Sequence, residues 1–203
     1  MKFFEFQKSF SDFPVFNYQD IRKLNPKFHR NQLLQWRKKG YIIRIRNGYY
    51  MFPHTQINED FLYLCSNKIF KPSYVSLESA LAYYGLIPES AFLITAISTN
   101  KTSRFNTTIG NFSYHSLKHE YYQGYTLVNR NNISFKLAYP EKALLDLLYI
   151  RKPNTLTEVS ELRLNRFELN EIITSDKWHF YLETFKSKAI NKRAALITSY
   201  AND

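Results

Sequence analysis

The chain has 203 residues, 44% hydrophobic and 22% charged, which excludes a disordered polymer and leaves room for one sizeable core plus a small module. Its formal charge of +11 points to nucleic acid or another polyanion as partner. Cys65 is the single cysteine, so an internal disulfide is excluded and a reducing, cytoplasmic home is expected.

A chain rich in Asn, Ile, Lys, Tyr and Phe also gains lysine from base-composition bias, so the distribution of charge says more than its total. Residues 1–55 hold 11 Lys/Arg against 3 Asp/Glu, whereas residues 56–203 hold 17 against 14. Between Arg22 and Asn58 there is no acid at all, but there are nine cations.

The opening MKFFEFQKSF spaces Phe3, Phe6 and Phe10 for a short amphipathic helix and, with Glu5, lacks the apolar run of an export signal. Asn17 is placed to cap a second helix, Tyr18 to Leu24, with Ile21 and Leu24 as buried residues. Asn25-Pro26 ends it, because the residue before proline is pushed out of helical geometry. A third helix is predicted over Lys27 to Lys39, with Leu33, Leu34 and Trp36 inward and Gly40 closing it. In YIIRIRNGYYMF, Ile43 and Ile45 alternate with Arg44 and Arg46, which predicts a strand with one apolar and one cationic face. Asn47-Gly48 then predicts a type I′ hairpin turn.

Three helices followed by a two-stranded ribbon form the ground plan of a winged helix-turn-helix. In such a unit the third helix enters the major groove and the hairpin brings cations to phosphate or the minor groove. On that plan the DNA-binding candidates are Lys27, His29, Arg30, Asn31, Gln35, Arg37, Lys38, Arg44, Arg46 and Asn47. Arg37 and Lys39 also have stems long enough to cover apolar surface.

Pro53 to Glu59 reads as a linker, dividing a DNA-binding unit (1–55) from a larger domain (60–203). The larger part predicts a helix from Asp60 to Phe70 and a second one capped by Ser76, running through Ala80, Leu81 and Tyr84 to Gly85. Strands follow between Phe92 and Leu137, in FLITAIS, TIGNFSYHSL, YTLVN and NISFKLA. AYPEKALLDLLYI restores helix, with Pro140 and Glu141 in its first turn and Leu144, Leu145 and Leu148 buried. Lys142 and Asp146, four apart, are spaced to pair, at about 0.3–0.5 kcal/mol if exposed. Two or three helices complete Leu162 to Tyr200. The predicted fold class is therefore α+β: an N-terminal winged helix-turn-helix, then a mixed domain with a mainly antiparallel sheet and C-terminal helices.

VFNYQDIRKL, QLLQWRKKGYIIRIRNGYY, YVSLESALAYYGLIP and AYPEKALLDLLYIRK, in that order, together resemble the AbiEi-type antitoxins, transcriptional regulators of type IV toxin-antitoxin systems in abortive phage infection. The resemblance spans roughly residues 10–185. It implies a winged helix that represses its own operon by binding double-stranded operator DNA, and winged helices usually read inverted repeats in pairs. It implies a second domain that counteracts a nucleotidyltransferase-like toxin without a stable complex. Arg30, Arg37, Lys38, Arg44 and Arg46 fall among the implied DNA contacts, and no catalytic residue is implied.

Other chemistries find less footing. A metal-dependent nuclease needs a carboxylate followed two residues later by lysine, a spacing no Glu or Gln here provides. His115 and His119 lack the intervening glutamate of a zinc motif and read as surface histidines. No cofactor, metal, catalytic site or membrane span is expected. The alternative to a regulator is a protein-interaction module whose winged helix serves as a packing or dimerisation scaffold without specific DNA binding.

Overall fold

The computed structural model describes residues 1–88 and 93–202. At the N-terminus, α1 (Phe3–Ser9), α2 (Tyr18–Leu24) and α3 (Arg30–Lys38) accompany a three-stranded sheet of β1 (Phe16–Asn17), β2 (Ile43–Arg46) and β3 (Tyr49–Met51), ordered β1-β3-β2. Asn17 caps α2 as expected: its Oδ1 accepts from the amides of Gln19 and Asp20 at 2.8 and 3.0 Å, and Asp20 returns the bond to the Asn17 amide. A small aromatic core of Phe6, Phe10, Phe16, Phe28, Trp36 and Phe52 holds these elements together, with Phe6 stacked on Trp36 at 4.7 Å.

Several local expectations are corrected. The third helix begins at Arg30, because Lys27 and Phe28 belong to a turn in which the Phe28 amide bonds the Asn25 carbonyl. Leu24 and Leu34 are 60% and 47% exposed, since the unit is too thin for each helix to bury more than one narrow stripe. In the hairpin only Gly48 has a positive φ, so the turn is not type I′, which requires it at both central residues. The register also slips between Arg44 and Arg46, a bulge that supplies the extra twist.

The remaining chain builds a six-stranded sheet from β4 (Ser73–Val75), β5 (Leu93–Ser98), β6 (Ser103–Thr107), β7 (Gly110–Ser116), β8 (Tyr125–Arg130) and β9 (Ile133–Ala138). Its order is β6-β7-β5-β4-β9-β8. Three neighbouring pairs run antiparallel, whereas β5/β7 and β4/β9 run parallel. The sheet is thus mixed but mainly antiparallel. Phe92, where the first strand was expected to start, lies outside the described residues.

Helix α4 (Glu59–Ile69) covers one face of this sheet, where the Tyr114 hydroxyl donates to the Ser66 carbonyl. The other face carries α5 (Glu78–Tyr83) and α6 (Pro140–Arg151), and α7 (Leu156–Ser160), α8 (Arg166–Ile173), α9 (Asp176–Phe185) and α10 (Lys188–Asn202) pack on α6 and one another. Among the described residues no helix is long and apolar enough to cross a membrane.

The two parts share core. Val15, Ile45 and Met51 from the N-terminal unit pack into the larger cluster with Phe61, Tyr114 and Phe112. The Thr108 hydroxyl in the β6–β7 turn donates to the Arg44 carbonyl at 3.2 Å.

Candidate nucleic-acid interface

Helix α3 buries Leu33 and Trp36, which rotates the opposite stripe outward. Arg30, Asn31, Leu34 and Arg37 on that stripe face Arg44, Asn47, Gly48 and Tyr50 of the hairpin across a groove of about 490 Å³. Three guanidinium groups and two carboxamides thus line one concavity, without a carboxylate. Guanidinium forks suit phosphate oxygens or a guanine edge, and carboxamides suit adenine. The sequence reading did not foresee Leu34, Gly48 and Tyr50 as lining. Their signal is simple in retrospect: Leu34 follows Arg30 by four residues and precedes Arg37 by three, so all three share one face.

The remaining predicted residues divide. Gln35 and Lys38 are exposed on α3 beside the groove, while Lys27 and His29 are exposed just ahead of it. His29 is the N-cap residue of α3 and makes no side-chain capping bond. Its ring is therefore not committed to the helix.

Arg46 is placed elsewhere. The bulge turns it away from the α3 side and toward the second unit, where its Nη1 donates to the Ile69 carbonyl at 3.0 Å. Its guanidinium carbon lies 3.5 Å from the centre of the Phe105 ring. The expected strand face with Arg44 and Arg46 side by side is therefore not formed: Arg44 lines the groove and Arg46 fastens the hairpin to the sheet. Beside it, burial pushes the Tyr49 phenol upward, reinforced by Asp20 and opposed by Arg46.

A second polar constellation lies in the core of the larger part. Asp146 is fully buried on α6, and its Oδ2 accepts from the hydroxyls of Tyr74 at 2.9 Å and Ser76 at 2.8 Å. Its Oδ1 is paired with the Lys142 ammonium, which also donates to the Tyr74 hydroxyl and lies against the Tyr74 and Phe185 rings. Burial pushes the Asp146 carboxyl up and the Lys142 ammonium down, and each charge opposes the shift of the other.

The expected Lys142–Asp146 pair is thus formed, but in the interior, where the value for an exposed pair does not apply, and one expectation is corrected: Ser76 caps no helix. The residue preceding α5 is Leu77, at φ 58°, which leaves the Ser76 hydroxyl free to serve Asp146. The geometry of this cluster is that of a structural clasp joining β4 and the residue after it to α6.

His115 is likewise corrected from surface to interior. It is 8% exposed on β7, and its Nε2 lies 3.2 Å from the Ser113 hydroxyl. Burial holds its pKa below the usual histidine value; Arg151 and Arg104 act in the same direction and Glu78 against it. Among the described residues no three side chains of the metal-binding types converge on a point. No protein-family model matches the chain, and none of the curated proteins does.

Proposed function

We propose that this chain is a DNA-binding transcriptional autorepressor and the antitoxin of a type IV toxin-antitoxin system, acting in the cytoplasm. In this reading residues 1–55 form a winged helix-turn-helix on double-stranded operator DNA, and residues 60–203 counteract a nucleotidyltransferase-like toxin. The observation that carries the DNA half is the groove between α3 and the hairpin, where Arg30, Arg37 and Arg44 meet Asn31 and Asn47. It lies within the segment from Arg22 to Asn58 that holds no acid. The antitoxin half rests on the ordered resemblance to the AbiEi-type family.

With Arg46 assigned to the hairpin's attachment, Lys27, Arg30, Arg37, Lys38 and Arg44 remain as cations for phosphate. Helix α3 presents its N-terminal half to base edges, with Asn31 as the carboxamide reader and Asn47 on the wing.

The direct test titrates the protein against duplex DNA from immediately upstream of its own gene and against a scrambled duplex. Selective binding that Arg37→Ala/Arg44→Ala abolishes and that Arg46→Ala leaves intact supports the reading. Equal, weak binding to both duplexes contradicts it and favours the alternative, an N-terminal unit that serves only as a packing scaffold. That alternative draws on the shared core of Val15, Ile45 and Met51. The antitoxin half is tested by co-expression with the adjacent gene: deletion of residues 60–203 is expected to remove protection from growth arrest.

A further inference from the structure

The start of α6 and the face of α8 flank an open cavity of about 270 Å³ whose lining includes Glu141, Glu168, Glu171, Tyr84, Pro140 and Ile172. Three carboxylates in one concavity run against the strongly basic character of the chain. Glu141 is 7% exposed, and only its Oε1 is engaged, by the Ser175 hydroxyl at 3.3 Å. Its Oε2 is buried and has no hydrogen-bond partner among the described residues. A buried carboxylate oxygen without a donor is costly, so its persistence in this cavity is the observation that points to a ligand.

The local cations do not fill that role. Lys142, the next residue along α6, turns into the core toward Asp146, and Lys177 sits over the Tyr139 ring at 4.0 Å. Among the described residues, no cation forms an ion pair with Glu141, Glu168 or Glu171. Nor do the three approach closely enough to hold one metal ion. Carboxylates spaced around a cavity suit an extended cation with several donors better than a point charge. A guanidinium, with five N–H donors in a planar fork, meets that requirement. The Tyr84 ring and the Pro140 and Ile172 walls suit its flat face and its methylene stem.

We propose that this cavity receives an arginine side chain presented by a protein partner. The site lies on the second unit, so it stands independently of whether the first unit binds DNA.

The test is an amide NMR titration of the full chain with a blocked Gly-Arg-Gly peptide and with its citrulline counterpart, which keeps the shape and loses the charge. Saturable shifts confined to α8 and the first turn of α6, given by the arginine peptide alone, are expected. Glu168→Gln/Glu171→Gln, which alters a half-buried and an exposed position of α8, is expected to weaken binding about tenfold, as is Glu141→Gln. The proposal is overturned if the citrulline peptide shifts the same signals equally, if the shifts fall elsewhere, if no saturable shift appears, or if the folded α8 variant titrates like the parent.

Discussion

Replacing Asp146 with asparagine is the sharpest perturbation of the larger core. The shape is kept, and the Tyr74 and Ser76 hydroxyls retain an acceptor, but the Lys142 ammonium, 1% exposed, loses its only counter-charge among the described residues. What remains to it is one bond to the Tyr74 hydroxyl at 3.0 Å and the faces of Tyr74 and Phe185 at 5.6 and 5.3 Å. Removing one partner of a buried ion pair costs about 3–5 kcal/mol, a large share of the ~5–15 kcal/mol that holds a domain folded.

For a chain of this length that corresponds to a fall in Tm of about 6–20 °C. Removing both charges, in Lys142→Met/Asp146→Asn, leaves no buried ion and keeps the hydroxyl acceptor, so stability should return to within about 2 kcal/mol of the parent. Urea unfolding of the parent, both single variants and the double variant closes the cycle. A double variant whose loss equals the sum of the two singles would refute the idea that the cost lies in an orphaned charge.

Three further outcomes are expected. Arg46→Ala should lower stability by about 1–2 kcal/mol in thermal unfolding, through the lost Ile69 carbonyl bond and the lost stacking on Phe105. Gly124→Ala should cost about 1–3 kcal/mol in the same assay, because Gly124 has φ +76° and a Cβ there would lie 2.8 Å from the Lys142 Cγ. The folded-state pKa of His115 is depressed, chiefly by burial, so protonation favours the unfolded chain. Its contribution to stability is fully present above the unfolded value near 6.5 and is lost as pH falls below it. In His115→Gln, stability measured across that window should therefore decline less steeply than in the parent.

How much of this was legible beforehand depends on the range of the forces involved. Asn17, Gly40, Asn47-Gly48 and Pro140 act through their own backbone geometry, and they placed helix ends and the hairpin within a few residues. The turn type itself was not legible, because the bulge at β2 answers to packing against Phe105 and Ile69, distant in sequence. The same distance hid the true place of Arg46.

The buried clasp was half visible. The spacing of Lys142 and Asp146 marks a pair, but in a helix buried along most of its length such a pair has no water to face. That reading requires noticing that Ala143, Leu144, Leu145, Leu147 and Leu148 leave no polar side to α6. Tyr74 on β4 and Ser76 just after it, as hydroxyl donors, depend on a pairing of sheet and helix that no local pattern encodes. The groove fared better, because Arg30, Asn31 and Arg37 share a helix face by periodicity alone, and Arg44 and Asn47 follow directly in the hairpin.

The measurement that bears most directly on the proposed function is the salt dependence of binding to the duplex upstream of the gene. If Lys27, Arg30, Arg37, Lys38 and Arg44 each neutralise a phosphate, the log-log slope of affinity against salt should be about −4.5, made shallower by about 0.9 in Arg44→Ala and unchanged in Arg46→Ala. A slope near zero, or one that Arg44→Ala leaves unaltered, would contradict the assignment of the groove to DNA.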